Sequence, residues 1–124
     1  MARLPIAQEN TMLNAGFVPA TTYYLALFTT DPSTTGASGE VTGGSYTRQG
    51  IAFGSASAGS QASTNAQTFT GMPVLAGGAP YFGLFTAASG GTYLGGGTTT
   101  GLSGAISAGS TVTFAIGAVS TSLS

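Results

Sequence analysis

The sequence predicts an all-β protein, an antiparallel β-sandwich of the jelly-roll or Ig-like kind preceded by one short helix. Three observations carry that expectation. Gly 21, Thr 20 and Ser 14 dominate the 124 residues and favour turns and strands over helix. Short aromatic and aliphatic runs alternate with Gly- and Pro-rich turns, the pattern of a sandwich or small barrel. Only the opening segment has a helical period.

That segment, Leu4–Phe17, places Ile6, Asn10, Leu13 and Phe17 on one face, with Gly16 positioned to stop it. The reading is therefore a helical segment over residues 1–20 and one β-sandwich domain over 21–124. Tyr23–Thr30 (YYLALFTT) is apolar on both alternating sets, as in a strand covered on both faces, and Asp31 and Pro32 end it. DPSTTGASGE is then a long loop. Tyr46–Phe53 is expected as a strand with Thr47, Gln49, Ile51 and Phe53 on one side and Tyr46 and Arg48 on the other. Gly54–Ala66, small and polar, is expected to be a flexible linker or an exposed loop rather than a packed element, and the most mobile segment.

Gln67–Met72 reads as a short strand before Pro73, and PVLAGGAP as a turn region. Tyr81–Ala87 (YFGLFTA) matches the first strand closely, so the two should lie in one sheet, with Ala or Gly at the centre marking a close approach. Gly90 and Gly91 suggest a hairpin turn into Thr92, Tyr93 and Leu94, while GGGTTTG has no clear pattern. After a turn at Ser107–Ser110, Val112, Phe114 and Ile116 alternate towards the core. The apolar phase then slips by one at Gly117 to Val119, Thr121 and Leu123, which predicts a bulge or bend. Leu25, Leu27, Phe28, Phe53, Phe82, Leu84, Phe85, Val112, Phe114 and Ile116 are expected in or beside the core.

Charge narrows the function. Arg3, Glu9, Asp31, Glu40 and Arg48 are the only charged side chains, 4% of the chain, and Lys, His, Cys and Trp are absent. No basic footprint for nucleic acid exists, no thiol or imidazole can ligate a metal, and the usual general bases are missing. Asp31 and Glu40 lie in turn-rich sequence with nothing to tune them as an acid–base pair, and no calcium-loop spacing surrounds them, so no catalytic, cofactor-binding or metal-binding residue is assigned. Arg48 is expected to pair with Asp31 or Glu40 and pin the long loop. The loops GGAP, SGGT and GGGT lack the Lys and following helix of a phosphate cradle. Thr98–Thr100 lacks the regular repeat of an ice-binding face. The five Tyr are expected in sheet faces and cores rather than in a sugar-binding groove.

The opening MARLPIAQEN lacks the apolar core of a signal peptide, and no run of about 18 apolar residues is present, so neither export nor a membrane-spanning helix is expected. Without disulfides, folding in a host cytoplasm is the expectation. A nearly uncharged surface is poorly defended against association, which suggests an assembly built on apolar and backbone contacts that survive high salt.

The order of a short helix, LALFTTDPSTTG, GEVTGGSYTRQ, the YFGLFTAASGGTYL hairpin and the closing SAGSTVTFAIGAVSTSL resembles a family of small tailed-bacteriophage virion proteins, described either as tail-fibre or as capsid decoration proteins. The resemblance runs from about Glu9 to Leu123, with Gly95–Gly101 richer in Gly and Thr than the family pattern. It implies a non-enzymatic virion structural protein. Because a compact chain of 12.0 kDa cannot by itself form an extended shaft, the expected role is a decoration or cement protein on the outer capsid surface. Its partner would be the major capsid protein, and a homo-oligomer such as a trimer at local three-fold positions is compatible. The alternative is a tail-fibre or tail-tip component that adheres to the host surface.

Overall fold

Short apolar runs and alternating segments become the strands of an antiparallel fold. The computed structural model describes residues 5–32 and 39–122. Its elements are α1 (Ile6–Gly16), β1 (Tyr23–Phe28), β2 (Gln49–Ile51), β3 (Ser60–Ala62), β4 (Gln67–Phe69), β5 (Tyr81–Phe85), β6 (Tyr93–Thr98), β7 (Val112–Phe114) and β8 (Ser120–Ser122). Most of loop DPSTTGASGE, the Leu4 end of the helix and Leu123 lie outside the described residues. The all-β class with one short N-terminal helix is the one expected. The chain clusters into two compact units, Tyr23–Gly50 with Gln67–Thr113, and Met1–Thr22 with Ile51–Ala66 and Phe114–Ser124.

The first of these units is built on a sheet in the order β2-β1-β5-β6. The two similar runs, YYLALF and YFGLF, pair antiparallel about Ala26↔Gly83, with Tyr24 opposite Phe85 and Phe28 opposite Tyr81. One face carries Leu25, Leu27 and Leu84, all essentially inaccessible. On the other face Phe28 and Phe85 stack with centroids 6.1 Å apart, and Tyr93 tilts against Phe85 at 5.5 Å. Two-sided burial explains why β1 is apolar at successive positions. The central glycine is needed for space: a Cβ on Gly83 would lie 2.7 Å from the Phe28 ring and 3.1 Å from that of Tyr93. The expected close approach is real, but aromatic rings rather than a second backbone fill it.

Gly90 and Gly91, both in the left-handed region, turn β5 into β6, and Thr86 and Thr92 exchange hydrogen bonds across the turn. β6 continues through GGG to Thr98, beyond the end of any legible pattern, because its backbone pairs with β5 and needs no side-chain alternation. Here too, β4 pairs with β7, and Met72, Phe69 and Val112 are buried. Leu75 and Ile106 form a bridge through reciprocal N–H to C=O bonds in the expected turn region.

In the second unit, β3 and β8 pair antiparallel with Gln61 opposite Thr121. Gly54–Ala66 is therefore not a linker. The Gly54 amide donates to Ala62 O, Ser57 and Ser60 exchange N–H to C=O bonds, and Gln61 and Ser63 are buried. Small side chains let this tight hairpin lie against α1, and its buried positions are Gly59 and the polar Gln61 and Ser63, so it shows no apolar period. Leu13 on the helix is buried, and Phe17 and Phe53 rings meet at 5.2 Å. Ile6, on the same helical stripe, is 57% exposed because the hairpin reaches only as far as Glu9 and Asn10.

Three positions expected in or beside the core differ in burial, one of them exposed and two half-buried. Ile116 is 69% exposed, since β7 ends at Phe114 and the Gly117 amide turns back to bond Ser63, so Val119 takes the buried place. Phe114 and Phe82 are only half-buried. The slip at Gly117 is thus a turn between two strands, the bend rather than the bulge of the two expected forms.

Candidate functional site

The end of β1 positions the most elaborate side-chain network. Beyond Phe28 the returning chain pairs antiparallel, with the Thr29 amide donating to Gly39 O at 2.8 Å and the Val41 amide to Leu27 O at 2.9 Å. Glu40 is thereby held opposite Phe28. The Leu27 amide donates to the phenol oxygen of Tyr46 at 2.9 Å, and that hydroxyl donates to Glu40 Oε2 at 3.0 Å. Arg48 completes the arrangement: Nε donates to Glu40 Oε2 at 2.9 Å and Nη2 to Oε1 at 2.8 Å, a bidentate pair. Nη1 donates to Ala87 O and Gly90 O, the backbone of the β5–β6 hairpin. The guanidinium also lies 3.7 Å from the Phe85 ring centroid.

The Arg48 side chain is only 9% exposed, and that of Glu40 27%. Burying such a pair is offset because the bonding is almost complete. Burial raises the Tyr46 phenol pKa, reinforced by the Glu40 carboxylate, and the Leu27 amide opposes the shift. The hydrogen bond to Glu40 raises that of Arg48. The Tyr46 ring lies parallel to Phe69 at 5.7 Å, which fixes the phenol in place.

Of the two partners expected for Arg48, the fold selects Glu40. Asp31 acts elsewhere: its charge adds to burial in raising the Tyr93 pKa. The two carboxylates therefore answer to different groups. Among the described residues no cluster of three or more His, Cys, Asp or Glu could hold a metal ion, and no helix is long and apolar enough to cross a membrane. The glycine-rich loops form a turn at Gly78, the β5–β6 hairpin and strand β6. Thr99 is spent on Pro80 and Ala79 carbonyls. Tyr23 is buried, and Tyr24, Tyr81 and Tyr93 are half-buried in the sheet. Tyr46 is the functional-looking residue that sequence reasoning missed, since strand alternation alone placed it beside Arg48. Its signal is the spacing of Glu40, Tyr46 and Arg48 around a Gly-Gly turn.

Beside this network is an open cleft of about 420 Å³, lined by Glu40, Thr42, Thr47 and Arg48 from one segment and by Ala88 and Ser89 from the hairpin. Its lining mixes these polar side chains with the apolar Val41 and Ala88 and carries one charge of each sign.

A family model described as podophage GP4 fiber I protein gp80 matches residues 7–122, from the first turn of α1 to the end of β8. The chain belongs to that family. It is therefore a structural protein of a phage virion, in agreement with the resemblance carried by the strand and turn motifs. The gp80 match spans both compact units and includes Glu40, Tyr46 and Arg48. A search of curated proteins finds no match.

Proposed function

We propose that the chain is a component of the phage tail fibre that takes part in attachment to the host surface, without a catalytic role. The observation that carries this is the match of residues 7–122 to a family described as a fiber protein. That description supports the fibre over the outer capsid surface, for which small size was the main argument. Size is accommodated if the chain is one block of a fibre assembled from several copies or several chains. Self-association, with a trimer among the compatible states, is part of the proposal, and the scarcity of charge at the surface supports it.

Quantifying the chain against the major capsid protein in purified virions, together with antibody labelling under the electron microscope, tests the reading. Few copies per particle and label at the tail are expected. A ratio near one to one with label over the head would return the protein to capsid decoration.

A further inference from the structure

We propose that the cleft beside Glu40 binds a neutral, polyhydroxylated ligand, a glycan unit of the host surface. This rests on the attachment role proposed above and gives that role a site.

Two carboxylate oxygens offer about four acceptor sites, and among the described residues Glu40 has filled three, two on Oε2 and one on Oε1. The last lies on an oxygen whose position is set by Arg48, so a ligand hydroxyl meets an acceptor already oriented and pays little ordering cost. The Glu40 side chain is exposed enough to be reached. Thr42 and Ser89 are exposed in the same cleft, come from different segments, and their hydroxyls have no partner among the described residues. Each can donate and accept, as sugar hydroxyls do.

Charge excludes the other ligand classes. The guanidinium that would attract a phosphate or carboxylate is committed to Glu40 and to two backbone carbonyls. The carboxylate that would attract a metal ion is neutralised by the same contact. A neutral ligand rich in O–H groups uses what remains. The volume lies at the lower end of the roughly 300–1,000 Å³ typical of small-ligand clefts, which suits one or two sugar rings. An open cleft predicts weak binding per site, and several copies on one fibre would convert it to useful avidity.

The test is a titration of the full chain, followed by amide NMR shifts, with glucose, galactose and lactose as neutral probes and with inorganic phosphate and 3′-sialyllactose as charged ones. Saturable shifts confined to the amides of Thr42, Thr47, Arg48 and Ser89 are expected with a neutral sugar. Thr42→Val and Ser89→Ala, both at exposed positions, should each weaken binding by up to about tenfold while leaving the rest of the spectrum unchanged. No saturable shift with any neutral probe, shifts centred elsewhere, or a stronger response to phosphate or sialyllactose would each overturn the inference. A silent cleft on a tail-located protein defeats the glycan site alone. A sugar-binding cleft on a chain present at capsid stoichiometry defeats the attachment reading instead.

Discussion

In the unit built on β1, β5 and β6, both faces of the sheet are closed by large apolar side chains, whereas in the unit carrying α1 much of the closing is done by amides. Leu25, Leu27 and Leu84 fill one side of the sheet, and Phe28, Phe85 and Tyr93 the other. In the helical unit, Asn10 Oδ1 accepts from the Gly59 amide, and Asn14 Oδ1 accepts from the Ala56 amide and from Gln61 Nε2. Gln61 Nε2 also donates to Phe17 O and Gly54 O. The difference follows from what each unit has available. Sequence 54–66 offers no side chain larger than Gln and so cannot exclude water by bulk, and its many backbone groups must be satisfied by side chains from the helix. A short helix of 11 residues is marginal alone, and these bonds hold it.

That contrast can be broken most severely in the sheet. Phe28→Ala removes a fully buried ring that also packs over Gly83, and should cost about 3–5 kcal/mol in urea unfolding, enough to unfold a domain this small. Phe114→Ala, at a half-buried position, should cost clearly less. Equal costs would show that the sheet core is not where the stability resides.

The ionic network in the same unit comes next. Glu40→Gln leaves Arg48 largely buried without its bidentate partner and should cost about 1.5–3 kcal/mol by the same measurement. Tyr46 adds a pH dependence. Because burial raises its folded pKa above the free value of 10.0, the neutral phenol contributes stability that is fully present below pH 10 and is lost as pH rises towards the folded value. Unfolding followed between pH 8 and 11 should show this decline in the native chain, and a smaller one in Tyr46→Phe.

In the helical unit, Asn14→Ala strands the Ala56 amide and one bond of Gln61, for about 1–2 kcal/mol. Faster amide exchange in residues 54–61, with the β1–β5 amides unchanged, would sharpen the comparison; uniform loss of protection would erase it. The smallest effect is expected at Ile116→Ser, within about 0.5 kcal/mol, since that side chain faces solvent.

Strands β1 and β5 were legible because each is an apolar run with aromatic ends, a pattern that needs burial on both faces and so implies a central place in a sheet. The turn glycines at 90 and 91 were legible from local backbone chemistry. The Arg48–Glu40 pairing was half legible: with two cations in the chain, the choice of partner was narrow, but Asp31 and Glu40 could not be told apart by spacing. What sequence by itself determined is therefore the fold class and the strand-rich centre, both properties that depend on composition and on periods of a few residues. Tertiary structure alone decided that Gly54–Ala66 forms a paired hairpin, that Ile116 faces outward, and that Tyr46 joins Glu40 and Arg48. Those outcomes depend on which distant backbone groups and side chains meet, and no local period encodes such meetings.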